Sequence, residues 1–262
     1  MNSKARRATI VERLRANGEA SIVELAALFG TSQMTIRRDL DQLEGEGFAR
    51  RARGGAIAAP RRSYEPPILQ RSTHRRVAKQ RIAAAAVELL RDDETVVLDV
   101  GTTTYELAKS IGDDIALTVI TSSLLIASEL STRGSVKTIV TGGVVRHGEL
   151  SLVGPRAQTA FHDLNCDTVF LGVAGVSDSK GLTEYNLDDA SVKRAAIACG
   201  GRTVVLADAS KIGRVAFVTV APVTAIDLLI TDASADDVTI RALKDRGIAV
   251  LHVEPSIEEN EG

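Results

Sequence analysis

The chain has no tryptophan, three tyrosines and five phenylalanines among 262 residues. That scarcity excludes an aromatic platform for stacking single-stranded nucleic acid. It leaves Ala, Val, Ile and Leu to build the core, a composition suited to a parallel sheet covered by helices. Cysteine is rarer still: Cys166 and Cys199 stand far apart with no second ligand beside either. A disulfide framework and a zinc site therefore have no support, and two buried structural thiols are the expectation. No long apolar run is present, because the charge-free stretch from Ile115 to Ser128 holds five hydroxyl residues and is too polar for a span. Lys4, Arg6 and Arg7 open the chain, but Glu12, Arg13 and Arg15 interrupt anything resembling the apolar region of a signal peptide. The reading is a cytoplasmic protein with no membrane partner. Neither the dinucleotide fingerprint nor the P-loop pattern occurs, so no cofactor is expected. His74, His147, His162 and His252 are scattered without ligand spacing, so no metal is expected either.

What is present divides by charge. The formal net charge is only -2, yet residues 1–62 hold 12 Lys/Arg against 7 Asp/Glu and the other 200 residues hold 20 against 27. A basic piece joined to an acidic one points to a polyanion partner for the first. The join falls in APRRSYEPPILQRSTHRR, residues 59–76, which contains three of the six prolines and is biased towards extended backbone. The expected organisation is a small α+β domain over 1–58, a linker over 59–73, a larger α/β domain with a mostly parallel sheet over 74–254, and an acidic tail over 255–262.

Helical periodicity fills the first piece. Ile10 and Leu14 share a face of a helix that stops at Gly18, Ser21 and Glu24 form a capping box for a second that closes at Gly30, and a third runs from Thr31 or Ser32 to about Gly45. FARRAR and GGAIAA, hinged on Gly54 and Gly55, read as a hairpin. This is the layout of a winged helix-turn-helix. On a helical wheel Leu40 and Leu43 lie within about 40° of Ile36, while Arg38 and Met34 lie nearly opposite and Thr35, Arg37 and Gln42 flank them. Adjacent exposed arginines are ordinarily a solvated face. Here they coincide with a capped helix pair, a short turn and a basic segment, so the side opposite the core is assigned to the major groove of double-stranded operator DNA. Ser32, Gln33, Thr35, Arg37, Arg38 and Gln42 are the reading candidates, and Arg50, Arg51 and Arg53 the wing contacts to phosphates or minor groove. Asp39 is expected to pair with a neighbouring arginine or the first helices instead.

After the join, TVVLDV, ALTVIT, VKTIVT, DTVFLGV, RTVVLAD, IDLLITD and IAVLHV alternate with helical segments, the rhythm of an α/β domain. Several runs end in Gly, Ser, Thr or Asp, as in LDV-GTTT, VIT-SS, IVT-GG and LAD-ASK. Such residues are ordinary after strands as turn and cap formers. Four such loops in one open sheet nevertheless suggest a shared anion site at the strands' carboxyl ends. Gly101 allows close backbone approach, Thr102, Thr103 and Thr104 open a helix whose amides favour an anion, and Lys211 offers a counter-charge. Asp99 and Asp208 offer acceptors for sugar hydroxyls; Thr121, Ser122, Gly142 and Gly143 complete the candidates.

TSQMTIRRDLDQLEGEGFARRARGGA, followed in order by VVLDVGTTTYELA, TVITSS, TGG, FLGVAGVS, GLTEYN, KRA and LADASK, resembles the DeoR-type bacterial repressors of sugar and polyol metabolism over about nine-tenths of the chain. The resemblance implies a winged helix-turn-helix followed by a sensor related in fold to ribose-5-phosphate isomerase, and a phosphorylated sugar or polyol effector. It departs at TSS, residues 121–123, where relatives commonly have Thr-Asn. A homodimer or homotetramer is expected, since a two-fold protein reads paired half-sites. The competing reading is an isomerase or transferase acting on the phosphosugar. The isomerase relatives carry an acidic cluster where this chain has LGVAGVS, with Asp178, Lys180 and Glu184 displaced downstream. General acid-base work needs those groups within reach of the substrate proton, so a non-enzymatic regulator is the reading taken.

Overall fold

The computed structural model describes residues 2–45, 47–58 and 62–254. Part of the linker expectation, residues 59–61, and the acidic tail, 255–262, lie outside the described residues. The chain divides into two compact units, with the break between His74 and Arg75.

The first unit contains α1 (Ser3–Asn17), β1 (Glu19–Ser21), α2 (Ile22–Phe29), α3 (Gln33–Gly45), β2 (Ala49–Ala52), β3 (Gly55–Ala58) and α4 (Ile68–Thr73). Each of the first three helices has a local start signal. Asn2, Ser21 and Ser32 accept the amides of Ala5, Val23 and Thr35 at 2.9, 3.2 and 3.2 Å, which satisfies amides that a helix start leaves without partners. Ile10, Leu14, Ile22, Leu25, Ile36, Leu40 and Leu43 close a small core with Ala49 and Ala56 of the hairpin. The hairpin pairs Arg50 with Ile57 and Ala52 with Gly55. A third strand, β1, joins its far side in the order β1-β3-β2; three residues are too few to show an alternating pattern in sequence. Gly55 lets β1 approach, since a Cβ there would stand 2.1 Å from the Ala20 carbonyl oxygen.

Two buried carboxylates orient α3. Asp39 receives Arg6 at 2.5 Å and Arg7 at 3.6 Å. Glu44 accepts the Arg51 amide at 2.6 Å, the Gln70 side-chain amide at 2.8 Å and the Tyr64 hydroxyl at 3.5 Å. The last two contacts explain a departure from the sequence reading. Residues 68–73, expected within an extended linker, form α4, because Ile68 finds a buried site and Gln70 finds Glu44. Pro66 and Pro67 immediately precede this helix, where proline is tolerated.

The second unit contains α5 (Arg76–Val87), β4 (Glu94–Leu98), α6 (Thr102–Ser110), β5 (Leu117–Thr121), α7 (Leu124–Leu130), β6 (Val136–Val140), β7 (Val144–Arg146), β8 (Ser151–Val153), α8 (Pro155–Thr159) and β9 (Cys166–Gly172). It continues through β10 (Gly175–Ser177), β11 (Gly181–Glu184), α9 (Leu187–Cys199), β12 (Gly200–Leu206), β13 (Val218–Ala221), β14 (Leu228–Thr231), α10 (Val238–Asp245) and β15 (Ala249–His252). The seven apolar runs become one sheet in the order β15-β14-β12-β9-β4-β5-β6, and every pairing in it is parallel. Two-residue alternation sorts its side chains. Val96, Leu98, Phe170, Val204, Leu206 and Ile230 face α5, α6 and α7, while Val97, Val169, Leu171, Val205 and Leu229 face α9 and α10. Burial on both faces is what gives these strands their near-continuous apolar character. A small antiparallel sheet, β10-β11-β13, and the hairpin β7-β8 are additions to this frame. Cys166 and Cys199 are both buried and free.

Candidate functional sites

On α3 the core takes Ile36, Leu40 and Leu43, and Gln33, Met34, Arg37 and Arg38 are left exposed. Ser32 is exposed too, but its hydroxyl caps the helix and sits 3.0 Å from that of half-buried Thr35. Gln42 is half-buried. In the hairpin Arg50 and Arg53 project into solvent, whereas Arg51 is half-buried and lies 3.5 Å from Asp41. Among the reading and wing candidates, the exposed donors left without a capping role are therefore Gln33, Arg37 and Arg38 on α3 and Arg50 and Arg53 on the hairpin.

In the sensor the strands run to one edge, and the chain turns one way after β4 and the other after β9. Neighbouring strands with divergent exits leave a crevice at their carboxyl ends. Gly101 and Gly172 lie there; a Cβ on Gly101 would stand 3.7 Å from the Gly172 Cα. Asp99, one residue past β4, accepts the Gly172 amide at 3.0 Å and receives the Lys193 ammonium. Lys193, from α9, also donates to the Gly172 carbonyl at 2.9 Å and lies 3.4 Å from Glu184. Burial works against the ammonium, but Asp99, Glu184 and Asp189 hold Lys193 above the ordinary lysine value. Arg146 on β7 lies 2.6 Å from Asp189. The carboxylates beside the crevice are thus committed to cations, a poor arrangement for a general base.

Thr102, Thr103 and Thr104 open α6 with their side chains buried, and Thr104 returns its hydroxyl to the Gly101 carbonyl at 3.0 Å. The Thr121 hydroxyl donates to Leu98 at 2.6 Å and accepts the Ser123 amide at 3.0 Å, so it ties β4 to the start of α7. Ser123 in turn caps α7 through the Ile126 amide at 3.3 Å. Ser122 is buried, and its carbonyl accepts Leu152 of the β7-β8 hairpin at 2.7 Å. Gly142 and Gly143 have φ of 71° and 115°, and a Cβ on Gly143 would lie 2.6 Å from the Val153 carbonyl oxygen. Both are required by the turn into the hairpin whatever else they do.

Asp208 and Lys211 follow a different strand, β12, with β9 between it and β4. Asp208 caps the single turn Ala209–Lys211 through the Ser210 amide at 2.9 Å and hydroxyl at 2.6 Å. Burial alone would raise its pKa, but Lys211, Lys79 and Arg75 outweigh that and draw it down to about 2. Arg75 reaches Asp208 at 3.5 Å and Asp232 at 2.5 Å. The structure therefore gathers a second charged group, Arg75, Lys79, Lys211, Asp208 and Asp232, at the carboxyl ends of β12 and β14. Sequence reasoning assigned no role to Arg75, Lys79, Lys193 or Asp232. Lys193 lies in the KRA motif and Asp232 ends IDLLITD just as Asp208 ends RTVVLAD, so that parallel was available as a signal. Lys79 comes from α5 and Arg75 stands just before it, ahead of every strand of the sheet, and nothing local marks them. Among the described residues no group of three His, Cys, Asp or Glu could hold a metal ion, and no helix is long and apolar enough to cross a membrane.

Comparison with known proteins matches residues 6–62 to the model of the DeoR-like helix-turn-helix domain and residues 74–233 to that of the DeoR C terminal sensor domain. The HTH-type transcriptional regulator GlpR of Haloferax volcanii is 34% identical over 94% of this chain and 96% of its own. The transcriptional repressor AccR of Agrobacterium fabrum is 34% identical over 88% of this chain and 90% of its own. Among solved structures, ribose 5-phosphate isomerase A of Methanocaldococcus jannaschii aligns with a TM-score of 0.39 and 16% identity over 51% of this chain and 53% of that one.

The depressed Asp208 pKa has a measurable consequence. Because the folded value of about 2 lies below the ordinary 3.8, ionised Asp208 contributes stability that is present above about pH 4 and lost as pH falls towards 2. Asp208→Asn should destabilise the sensor by roughly 2 kcal/mol at about pH 7 and by progressively less below about pH 4. Urea unfolding of both proteins across that range reads this directly; a difference independent of pH would remove the charge cluster as its cause.

Proposed function

The chain belongs to the DeoR family of transcriptional regulators, and from that premise we propose that it is a repressor of a carbohydrate or polyol operon whose DNA binding is set by a phosphorylated sugar-type effector. It is a DNA-binding regulator and not an enzyme. The observation that carries the finer reading is that two anion-favouring groups lie at the same carboxyl edge of the sheet: the amide-rich start of α6 at Thr102, after β4, and the Arg75, Lys79 and Lys211 cluster around Asp208, after β12. Anions favour helix starts and cation clusters for the same electrostatic reason. Asp99 is occupied by Lys193 and Gly172 and Asp208 by Ser210 and Arg75, so within this proposal Asp99 shapes the crevice and a ligand would compete for the groups around Asp208. Isothermal calorimetry against phosphorylated sugars and polyols and their plain parents tests the reading. The phosphorylated forms should bind and the parents should not at comparable concentration; equal binding of both would dismantle the phosphate site.

Arg37 and Arg38 are assigned to the major groove and Arg50 and Arg53 to flanking phosphates. Arg38→Ala should cost about 1–3 kcal/mol on the specific site and relax sequence preference, whereas Arg53→Ala should act evenly on all sequences and flatten the salt dependence by about one contact. Anisotropy titrations at several salt concentrations separate the two; unchanged specificity in Arg38→Ala would take α3 out of the groove.

Operators read by such helices are commonly two-fold, which requires a homodimer or homotetramer. We assign self-association to the sensor, where the sheet edge β6 exposes Ile139 and Val140 and the hairpin strand β7 exposes Val144 and Val145. An open edge with apolar side chains is a pairing surface unless it is covered. Val144→Asp should lower the sedimenting mass of the full-length chain; a wild-type monomer at working concentration would overturn the assignment.

A further inference from the structure

Arg75 is the first residue of the second unit and adopts a left-handed backbone, φ 50° and ψ 39°. A non-glycine residue holds that conformation only where its surroundings impose it. The Arg75 guanidinium is held by Asp232 at 2.5 Å and Asp208 at 3.5 Å, both buried, with the Arg75 side chain itself 18% exposed. The same two carboxylates shape the Ala209–Lys211 turn. Asp232 accepts the Ala209 amide at 2.7 Å, and Asp208 accepts the Ser210 amide and hydroxyl. Any ligand that draws on Asp208, or reorders the turn that carries Lys211, redistributes the charge that holds Arg75.

One peptide bond earlier, His74 is packed within the first unit. A Cβ on Gly45, the last residue of α3, would stand 2.9 Å from the imidazole Cγ of His74. Its neighbour Glu44 holds Gln70 and Tyr64 of the same approach segment. The residue seated against the end of α3 and the residue seated between the sensor carboxylates are therefore consecutive in the chain.

From this we propose that Arg75 is a positioning residue that passes the state of the Asp208–Lys211 turn to the α3 helix. The proposal rests on the reading of that turn as part of the effector site, and it deepens that reading by naming the route of regulation. The Arg75 contacts to Asp208 and Asp232 are made in this structure, and within the proposal the state that makes them is the one that binds DNA tightly. A ligand moves a two-state equilibrium only through contacts that differ between the states, and the Arg75 pairs to Asp208 and Asp232 are such contacts.

The test uses the full-length chain and a duplex that the wild type selects from a randomised pool, read by anisotropy without any effector. Arg75→Ala and Asp232→Asn should each weaken operator binding by a similar factor, within the roughly 5- to 150-fold range of allosteric coupling. The double variant should be no weaker than the stronger single one, because both remove the same interaction. Asp232→Asn keeps an oxygen for the Ala209 amide and so guards against loss of fold, and Arg75→Lys should recover part of the affinity by restoring the charge. In parallel, calorimetry with a panel of pentose and hexose phosphates should find that the Arg75→Ala protein binds the same compounds as the wild type. Unchanged operator affinity in both single variants, or losses that add in the double, would overturn the proposal. A panel in which nothing binds the wild type would count against the effector reading alone, since the DNA measurement decides the role of Arg75 without it.

Discussion

One buried ammonium organises the carboxyl edge of the sensor sheet. Lys193 sits where β4 and β9 part, and its donors reach Asp99 after the first strand and Gly172 at the end of the second. Burying a charge in an apolar layer is costly unless it is paired and hydrogen-bonded. The penalty is met from both sides, by carboxylates from β4, β11 and α9 and by backbone carbonyls at the strand ends. The outcome is a rigid floor to the crevice. With the two strand ends tied, the Gly101–Thr104 turn has a defined place and α6 starts in a fixed direction.

The same solution recurs in the smaller unit. Its core is built from few large side chains, and apolar contacts alone specify orientation loosely. Asp39, pinned by Arg6 and Arg7, fixes the middle of α3 to α1, and Glu44, holding Arg51, Gln70 and Tyr64, fixes its end to the hairpin and the approach to α4. Side chains facing the core supply cohesion while buried carboxylates set the rotation of the helix. That rotation is what turns Arg37 and Arg38 outward. A basic helix face becomes a reading surface only when its angle to the rest of the unit is defined.

How far the sequence spoke depends on how local each signal was. Helix starts at Ser21 and Ser32, stops at Gly18 and Gly30, and the seven β-branched runs are all written within a few residues, and the structure forms those elements where the pattern lies. Strand β1 was illegible because its three residues are held by pairing with β3, a partner more than thirty positions away. Helix α4 was hidden behind two prolines and forms because Glu44 and a buried site for Ile68 await it. The candidate effector residues were found as a class, polar groups after strands, but their division was not. Asp99 and Thr121 spend their polar atoms inside the fold, and Lys211 belongs with Asp208, Arg75 and Lys79. Only the order of strands in space separates these sets, and strand order is a property of the whole sheet.

The electrostatics of the second charged group bear on how a regulator of this kind responds. The sensor portion carries more acidic than basic residues, so overall attraction contributes little to capturing an anion; local arrangement must do so, over distances shorter than the screening length. Arg75, Lys79 and Lys211 already face Asp208, and Asp232 takes part of Arg75. An incoming phosphate, on the proposed reading, does not fill an idle site but competes with carboxylates for cations already engaged. Competition weakens intrinsic affinity relative to a preformed anion hole. It also guarantees that binding changes contacts inside the protein, which is the requirement for a ligand to shift an equilibrium at all. A site built only from the start of α6 would bind more simply and report less. On the proposed reading, contested cations beside Asp208, one of them on the residue that follows His74, would couple occupancy to the segment packed against the end of α3.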